Sequence, residues 1–210
     1  MSPDGERLYV ADVGNDVIKV LDPNTLETLG EVGRGELSSP HDVAFDAEGR
    51  LIVADSGNDR VVVFSLDGSA PLHLAGWRQG LGSPEGVAVV PHGWIYVTNA
   101  SEHNVMLLWG GKVVTRAGVR GKGENEYLRP HDVAVAADGT VYVADPGNDR
   151  VQMLTAELEY IGSLGGAAYG FDEPKYLAFD ERGWLYVSDE YNHQVKILDE
   201  ARALVATVGS

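Results

Sequence analysis

The stretch Pro40-His41-Asp42-Val43-Ala44-Phe45 decides the fold, because related stretches return three more times along the chain. The related stretches begin at Pro84, Pro130 and Pro174, so successive prolines are 44, 46 and 44 residues apart. A second stretch, Leu51-Ile52-Val53-Ala54-Asp55, has counterparts at residues 8–12, 95–99, 141–145 and 185–189. One unit of constant length therefore recurs along the chain, which indicates a repeat architecture.

A turn that ends in glycine joins the two stretches, at residues 4–5, 48–49, 92–93, 138–139 and 182–183. Such turns are typical of β-hairpins, because glycine adopts a positive φ without a Cβ clash. Two more apolar or β-branched runs complete each unit, as at residues 60–64 and 71–76. Each unit is therefore predicted to form four short antiparallel strands, and its length is typical of a blade of a β-propeller. The expected fold class is all-β.

The predicted blades occupy residues 3–37, 38–81, 82–127, 128–171 and 172–210 of one domain that spans 1–210. The first blade begins at its second strand and so lacks its innermost strand. We expect a truncated six-bladed parent, and the alternatives are an unusual five-bladed ring or a strand supplied by a second chain. The last alternative would make a homo-oligomer, because an open sheet edge exposes N–H and C=O groups that invite pairing.

Composition and charge narrow the class of function. The chain has 44% hydrophobic and 23% charged residues, the balance of an ordinary globular protein. Its 16 basic and 32 acidic residues give a net charge of −16, which disfavours nucleic acids and acidic membrane surfaces as partners. No signal peptide or membrane-spanning run is predicted, and the compartment stays open. The chain contains no cysteine, so a metal site would need His, Asp, Glu or backbone oxygen ligands.

The turn that follows each second stretch carries a family resemblance. The sequences of residues 55–61, 145–151 and 189–195 resemble the signature of NHL repeats, and Asn192-His193 matches it most closely. The third unit departs most, with Glu102-His103-Asn104 at the same place. The resemblance implies a β-propeller but no particular function, because one fold hosts unrelated activities.

The candidate site lies at a position of the repeat where the residue type differs from one unit to the next. The residue after the first-strand proline is His41, Glu85, His131 and then Lys175, and we expect these four side chains to lie around one mouth of the axial channel. They are the predicted ligand-binding residues. His41 and His131 are also candidate ligands of Zn²⁺ or another divalent cation. The alternative is that both histidines belong to a structural Pro-His-Asp turn whose aspartate accepts backbone N–H groups.

A narrower resemblance concerns enzymes. Pro40-His41-Asp42 and Pro130-His131-Asp132 are similar to the zinc-binding strands of peptidyl-α-hydroxyglycine α-amidating lyases, which present three histidines to a central zinc. The resemblance implies a metal that polarises a substrate hydroxyl, with Tyr191 in the place of the catalytic tyrosine. This chain departs from the pattern, since it has no third histidine, and Ser56 and Pro146 stand in the turns where the family has arginines.

Three functions follow from these patterns. The first is a recognition module that binds a peptide, a protein or a small ligand at the channel mouth. The second is a metal-dependent lyase that uses His41 and His131 as ligands and Tyr191 as an acid or base. The third is a structural or engineered propeller that self-assembles through its incomplete blade.

Overall fold

The computed structural model describes residues 1–67 and 70–209. The predicted blades 38–81 and 172–210 include Gly68, Ser69 and Ser210, which lie outside these ranges. Within the ranges, the only helices are single 3-10 turns of three residues each, and the remaining regular structure is β-strand. No helix there is long and apolar enough to cross a membrane. The all-β prediction is confirmed.

The strands follow one another at the spacing of the repeat. Their bounds are β1 (Leu8–Asp12), β2 (Val17–Leu21), β3 (Thr28–Val32), β4 (Pro40–Phe45), β5 (Leu51–Asp55), β6 (Arg60–Phe64), β7 (Leu72–Ala75), β8 (Pro84–Val90), β9 (Trp94–Asn99), β10 (Asn104–Trp109), β11 (Lys112–Ala117), β12 (Val119–Arg120), β13 (Glu126–Tyr127), β14 (Val133–Val135), β15 (Val141–Asp145), β16 (Arg150–Leu154), β17 (Tyr160–Gly165), β18 (Pro174–Phe179), β19 (Leu185–Asp189), β20 (Gln194–Leu198) and β21 (Leu204–Gly209).

Strands that are neighbours in sequence are neighbours in the sheets. Four sheets have four strands each, in the orders β4 to β7, β8 to β11, β14 to β17 and β18 to β21. The first sheet has three strands, β1 to β3, so the prediction that its innermost strand is missing is confirmed. These sheets are the blades of a β-propeller, and each predicted repeat contributes one of them.

A small sheet that the sequence did not predict follows the third blade. Strands β12 and β13 pair in parallel, with Val119 opposite Glu126 and Arg120 opposite Tyr127. The loop between them closes on Glu126, whose Oε2 accepts the backbone N–H groups of Lys122 and Gly123 at 2.9 and 2.7 Å. This sheet accounts for the longer 46-residue spacing between Pro84 and Pro130.

The described residues group into two compact units, residues 1–97 with 108–113 and residues 98–107 with 114–210. The prediction of a single domain stays a prediction. In the first unit, Tyr9, Ile18 and Val20 of the first blade pack against buried side chains of the second, which are Leu51, Val53, Val62 and Phe64. In the second unit, the fourth and fifth blades pack in the same way through Tyr142, Ala144, Val151, Leu177, Leu185, Val187 and Leu198. Alternation along each strand therefore fills the space between sheets.

In the second, fourth and fifth blades, a buried aspartate at the end of the second strand holds the blade together. Asp55, Asp145 and Asp189 are fully buried, and each accepts a backbone N–H from the residue two places before the first-strand proline. An asparagine three residues later also donates to each carboxylate. Each carboxylate therefore binds both the segment before the first strand and the turn after the second strand. Arg60 and Arg150 form ion pairs with Asp55 and Asp145.

A second contact links each blade to the next one within a unit. The residue in the left-handed conformation after the second strand accepts the backbone N–H of the residue that precedes the next proline. The pairs are Asp16 with Ser39, Asp59 with Ser83, His103 with Arg129 and Asp149 with Glu173. Neighbouring repeats are therefore joined by a hydrogen bond at a fixed place in the sequence.

Candidate functional site

The four residues predicted to bind a ligand occupy one place in the blade. His41, Glu85 and Lys175 are each the second residue of a first strand, in β4, β8 and β18. His131 holds the same place after Pro130, but β14 begins only at Val133. Glu85 and His131 are buried, with 7% and 8% of their surfaces exposed, whereas His41 and Lys175 are half-buried.

Two of these four residues offer ligand atoms close together within the first unit. One ligand atom of His41 and one of Glu85 lie within 4.8 Å of each other. An imidazole and a carboxylate are both donors that suit Zn²⁺. The same groups can instead hydrogen-bond a peptide or a small polar ligand.

Lys175 is engaged elsewhere. Its Nζ forms an ion pair with the Glu190 carboxylate, in the turn after β19. The ammonium group therefore has a counter-ion within its own blade. Its predicted role in ligand binding stays a prediction, and the ion pair gives it a structural role as well.

The aspartate of the Pro-His-Asp stretch performs the structural role that the sequence suggested. Asp42 accepts the backbone N–H of Val43 through Oδ1 at 2.7 Å and that of Val87 through Oδ2 at 2.9 Å. Val87 lies two residues beyond Glu85 in β8, so Asp42 fixes the strand that carries Glu85. Burial raises the pKa of Asp42 to about 6, although the two N–H groups act in the opposite direction.

A hydroxyl group fixes the other side of Glu85. Ser56 directly follows Asp55 in the second blade, and its Oγ donates to the carbonyl oxygen of Pro84. The backbone is therefore anchored both before and after Glu85, by Ser56 and by Asp42. A backbone held in this way on both sides of Glu85 needs no ligand to order it, which lowers the entropic cost of binding.

His131 is positioned by three contacts within the second unit. Its N–H donates to the Ala144 carbonyl at 3.0 Å, and its carbonyl accepts the Thr98 hydroxyl at 2.8 Å. The rings of Tyr176 and His131 meet edge to face, with 4.8 Å between ring centroids and 77° between the planes. These contacts restrict both the backbone and the ring of His131. The next residue, Asp132, repeats the role of Asp42, since it accepts the N–H groups of Val133 and Leu177.

Tyr191, the candidate catalytic residue, lies in the turn after β19 with 59% of its surface exposed. Its backbone N–H donates to the Asp172 carbonyl at 3.2 Å. This place in the repeat is held by Gly57 and Gly147 in the second and fourth blades. The catalytic role of Tyr191 stays a prediction.

Two polar residues near the site were missed from the sequence. Thr98 and Ser188 stand directly before the strand-end Asn99 and Asp189, where the other blades have alanine. Thr98 donates to the His131 carbonyl, and Ser188 Oγ accepts the N–H of Tyr176 at 2.8 Å. The signal was present, because a hydroxyl replaces alanine only in the third and fifth repeats.

Comparisons with known proteins agree with this architecture. The family model of the NHL repeat matches residues 37–64 and 127–153, which cover the two Pro-His-Asp stretches and the strands after them. In the rat, peptidylglycine alpha-amidating monooxygenase is 28% identical over 177 residues, which cover 75% of this chain and 18% of that protein. Human NHL repeat-containing protein 3 is 30% identical over 186 residues, which cover 76% of this chain and 52% of that protein.

A solved structure supports the fold alone. The streptogramin B lyase structure superposes with a TM-score of 0.77 at 12% identity, over 99% of this chain and 66% of the other. The chain thus spans less than two thirds of each of these three proteins. Sheet order, the repeated strand-end turn and the family-model matches lead to one conclusion. The chain has the fold of a β-propeller, and two of its repeats, at residues 37–64 and 127–153, match the NHL repeat.

Proposed function

We propose that the chain is a recognition module that binds a peptide, a protein or a small ligand through His41, Glu85, His131 and Lys175. The observation that supports this proposal is that ligand atoms of His41 and Glu85 lie within 4.8 Å of each other, on strands held by contacts that use no ligand. Rigid strands with variable side chains at one repeated place suit binding, because little order has to be gained when a ligand arrives.

The charge of the chain suggests the class of ligand. With a net charge of −16, the protein attracts basic peptides over a range of about 10 Å at 0.1 M salt. The Glu85 carboxylate supplies a buried acceptor for a Lys or Arg side chain, and the imidazoles supply further hydrogen bonds. A basic peptide is therefore the ligand class that we propose.

An array of basic decapeptides, probed with the labelled protein, tests this function. The double variant His41→Ala/His131→Ala should lose the peptides that the unchanged protein binds. The matched control His92→Ala changes an exposed histidine in the turn before β9 and should keep them. A set of bound peptides that is the same for all three proteins would contradict the proposal.

A metal-dependent lyase is the second candidate, and the closeness of the His41 and Glu85 ligand atoms is the observation that favours it. The rat relative named above carries an amidating activity in its name, and 28% identity over 177 residues links this chain to part of it. We propose that His41 and His131 would hold the metal together with Glu85, and a bound Zn²⁺ would polarise a substrate hydroxyl. The chain's own contribution is an ordered backbone around the donors, through Asp42, Ser56 and Thr98.

Zinc titration separates the two candidates. Calorimetry on chelator-treated protein should show one Zn²⁺ per chain if the lyase proposal is right, and His41→Ala and His131→Ala should each abolish the binding. His92→Ala is again the control. One bound zinc would justify an assay with α-hydroxyglycine peptides. Zinc binding that survives in the double variant, or its complete absence in the unchanged protein, would rule out this metal site and leave the recognition module.

A further inference from the structure

An arginine in the second unit is held between two blades by aromatic rings. Arg202 lies in the turn between β20 and β21, and its guanidinium carbon is 4.9 Å from the centre of the Tyr142 ring and 5.0 Å from that of the Phe179 ring. Its Nε donates to the Tyr142 hydroxyl at 2.7 Å. Its Nη1 donates to the carbonyl oxygens of Gly183 and Asp199 at 2.8 and 3.0 Å. Ring faces and convergent acceptors together form a site for a guanidinium group.

The first unit contains the same pair of rings. Tyr9 is the second residue of β1, as Tyr142 is of β15, and Phe45 ends β4, as Phe179 ends β18. Tyr9 and Phe45 meet edge to face with 5.0 Å between ring centroids and 81° between the planes. The pair in the second unit has nearly the same geometry, at 5.2 Å and 71°. The aromatic part of the guanidinium site is therefore repeated between the first and second blades.

The cation of this site is missing from the first unit. The turn between β6 and β7 corresponds to the turn of Arg202, and its sequence at residues 65–71, Ser-Leu-Asp-Gly-Ser-Ala-Pro, contains neither arginine nor lysine. In the part of the chain that the structure describes, the cations that lie over aromatic rings belong to rings other than Tyr9 and Phe45. Nothing there hydrogen-bonds the Tyr9 hydroxyl. The turn that supplies the cation in one unit is thus present in the other without it.

The acceptors of Arg202 have counterparts as well. Ser65 directly follows β6, as Asp199 directly follows β20. Gly49 matches Gly183, because the N–H of each glycine donates to the carbonyl of the aspartate three residues earlier, at 3.1 and 2.9 Å. The tyrosine hydroxyl and these two carbonyl groups therefore occupy the places of the three acceptors.

A cavity of about 440 Å³ adjoins Tyr9 and Ser65. Its remaining wall is largely apolar, with Val20, Leu29, Val32 and Leu66 among the lining residues. Such a wall suits the methylene groups of an arginine stem. Two charged residues also line the cavity. Glu31 accepts a hydrogen bond from Arg34 at 2.7 Å, and Arg7 is exposed.

We propose that this cavity binds an arginine side chain of a partner peptide, whose guanidinium lies against Tyr9 and Phe45 as Arg202 lies against its two rings. The Tyr9 hydroxyl and the Ser65 carbonyl accept its N–H groups. The group that fills the site in the second unit is carried by a peptide backbone, so the ligand is a peptide rather than a free cation. The net charge of −16 favours its approach. The site does not rest on the proposed function, because Phe45 and His41 lie at opposite ends of β4.

The probe is the peptide acetyl-Gly-Arg-Gly-amide, added to the isotope-labelled full chain. NMR should show saturable shifts of backbone amide signals that include those of Gly30 and Ser65, which line the cavity. Peptides with lysine or citrulline in place of arginine should bind about tenfold more weakly or less, because lysine lacks the planar donors and citrulline lacks the charge. Equal affinities of the arginine and citrulline peptides, or no saturable shift, would overturn the proposal. Tighter binding of free arginine would overturn the assignment to a peptide.

Substitutions in the cavity locate the binding. Tyr9→Phe keeps the ring and should weaken the binding about tenfold, because a hydrogen bond from a charged group is lost. Tyr160→Phe, which removes the hydroxyl of a half-buried tyrosine in the fourth blade, is the matched control and should have no effect. Equal affinities of the two variants would contradict the site. Arg7→Ala should bind at least as tightly as the unchanged chain. Binding that appears only in Arg7→Ala would mean that Arg7 itself fills the cavity and would overturn the proposal.

A last pair of variants separates this site from the histidine site, since both are proposed to bind basic groups. His41→Ala/His131→Ala should bind the arginine peptide as tightly as the unchanged chain, so failure of the proposed function would leave this result untouched. Tyr9→Phe should keep the array peptides whose binding depends on the histidines. Loss of the arginine-peptide shifts in the folded histidine variant would assign them to the histidine site and would overturn this proposal.

Discussion

Asp42 and Val87 are 45 residues apart in sequence, and the Asp42 carboxylate accepts the Val87 N–H at 2.9 Å. Asp132 and Leu177 repeat the contact at the same separation and at 2.7 Å. Each aspartate lies next to a candidate ligand histidine and fixes the first strand of the following blade. The Pro-His-Asp stretch thus places a candidate ligand histidine directly before an aspartate that orders the backbone.

Removal of this carboxylate should destabilise the protein. We expect Asp42→Ala and Asp132→Ala each to lower the free energy of unfolding by about 1–3 kcal/mol, because two backbone N–H groups lose their acceptor. Urea unfolding measures the change. Glu181→Ala, which removes an exposed acid, is the control and should have little effect. Aspartate variants as stable as this control would show that the contact contributes nothing to folding.

The repeated glycine of the strand-end turn should tolerate alanine in one blade but not in another. Gly57→Ala places a Cβ within 2.8 Å of the Ser38 carbonyl oxygen, and Gly14→Ala places one in open space. We expect Gly57→Ala to cost about 1–3 kcal/mol of stability. Gly14→Ala should be neutral or slightly stabilising, since alanine restricts the unfolded chain. Thermal unfolding of the two variants makes the comparison, and equal changes in Tm would contradict it.

The ion pairs of the strand-end acids should contribute more to the free energy of unfolding when they are buried than when they are exposed. Lys196 and Asp189 are 7% and 0% exposed, whereas Lys19 and Asp12 are 36% and 19% exposed. Lys196→Met leaves a buried carboxylate without its cation and should destabilise the chain by about 3–5 kcal/mol. Lys19→Met should have only a small effect, because water screens the exposed pair. Chemical denaturation ranks the two, and the reverse order would show that burial does not control these pairs.

The contact of His103 should make the stability sensitive to acid. The Arg129 N–H donates to Nδ1 of His103 at 3.0 Å. Burial, followed by the charges of Arg120 and Arg129, lowers the pKa of His103, while Glu102 and Asp145 act in the opposite direction. A pKa lower in the folded than in the unfolded chain stabilises the fold fully above the ordinary histidine value of 6.5, and this contribution is lost as the pH falls through the folded pKa.

The variant His103→Asp tests this dependence, because Asp16, Asp59 and Asp149 fill the same place in other blades. We expect Tm to fall less for this variant than for the unchanged chain as the pH is lowered from 7 to 5. Differential scanning calorimetry at a series of pH values provides the measurement. Parallel curves for the two proteins would mean that His103 does not titrate in this range.

Tyr176 should act as a positioning residue for His131. The ring contact at 4.8 Å restricts the imidazole, so Tyr176→Ala should weaken the binding of the ligand or of Zn²⁺ about tenfold, as second-sphere changes do. Tyr176→Phe keeps the ring and should restore the affinity. Calorimetric titration gives the affinity, and unfolding curves show whether the fold is intact. Similar affinities for the alanine and phenylalanine variants would remove Tyr176 from the site.

The sequence predicts the fold in detail because each blade is encoded locally. Proline spacing, glycine turns and β-branched runs locate nearly all the strands. The recurring stretch at residues 8–12 correctly predicts that β1 corresponds to the second strand of the other blades and opens an incomplete blade. The short sheet of β12 and β13 was missed, since strands of two residues in a loop have no periodic pattern. The start of β14 was also missed. Pro130 lies outside that strand, because the N–H of His131 and the carbonyl of Asp132 both bond to Ala144.

The candidate site was predicted in part. Comparison of equivalent places in the repeat identified His41, Glu85 and His131, which share one place in their blades. The pairing of Lys175 with Glu190 was not foreseen, because it depends on the path of the turn after β19. Thr98 and Tyr176 were missed as well, since their importance comes from contact with His131 rather than from their own position in a motif.

The hydrogen bond from each strand-end turn to the start of the next repeat has a consequence for how such a chain can grow. The acceptor, such as Asp59, belongs to one repeat, and the donor, such as the N–H of Ser83, belongs to the next. A duplicated repeat therefore carries the acceptor of one such hydrogen bond and the donor of another. It can join any neighbour that keeps the donor and acceptor residues at the same positions in the repeat. Exposed residues outside the junctions and the buried contacts can differ from blade to blade, so adjacent blades can diverge in chemistry while the order of assembly is preserved.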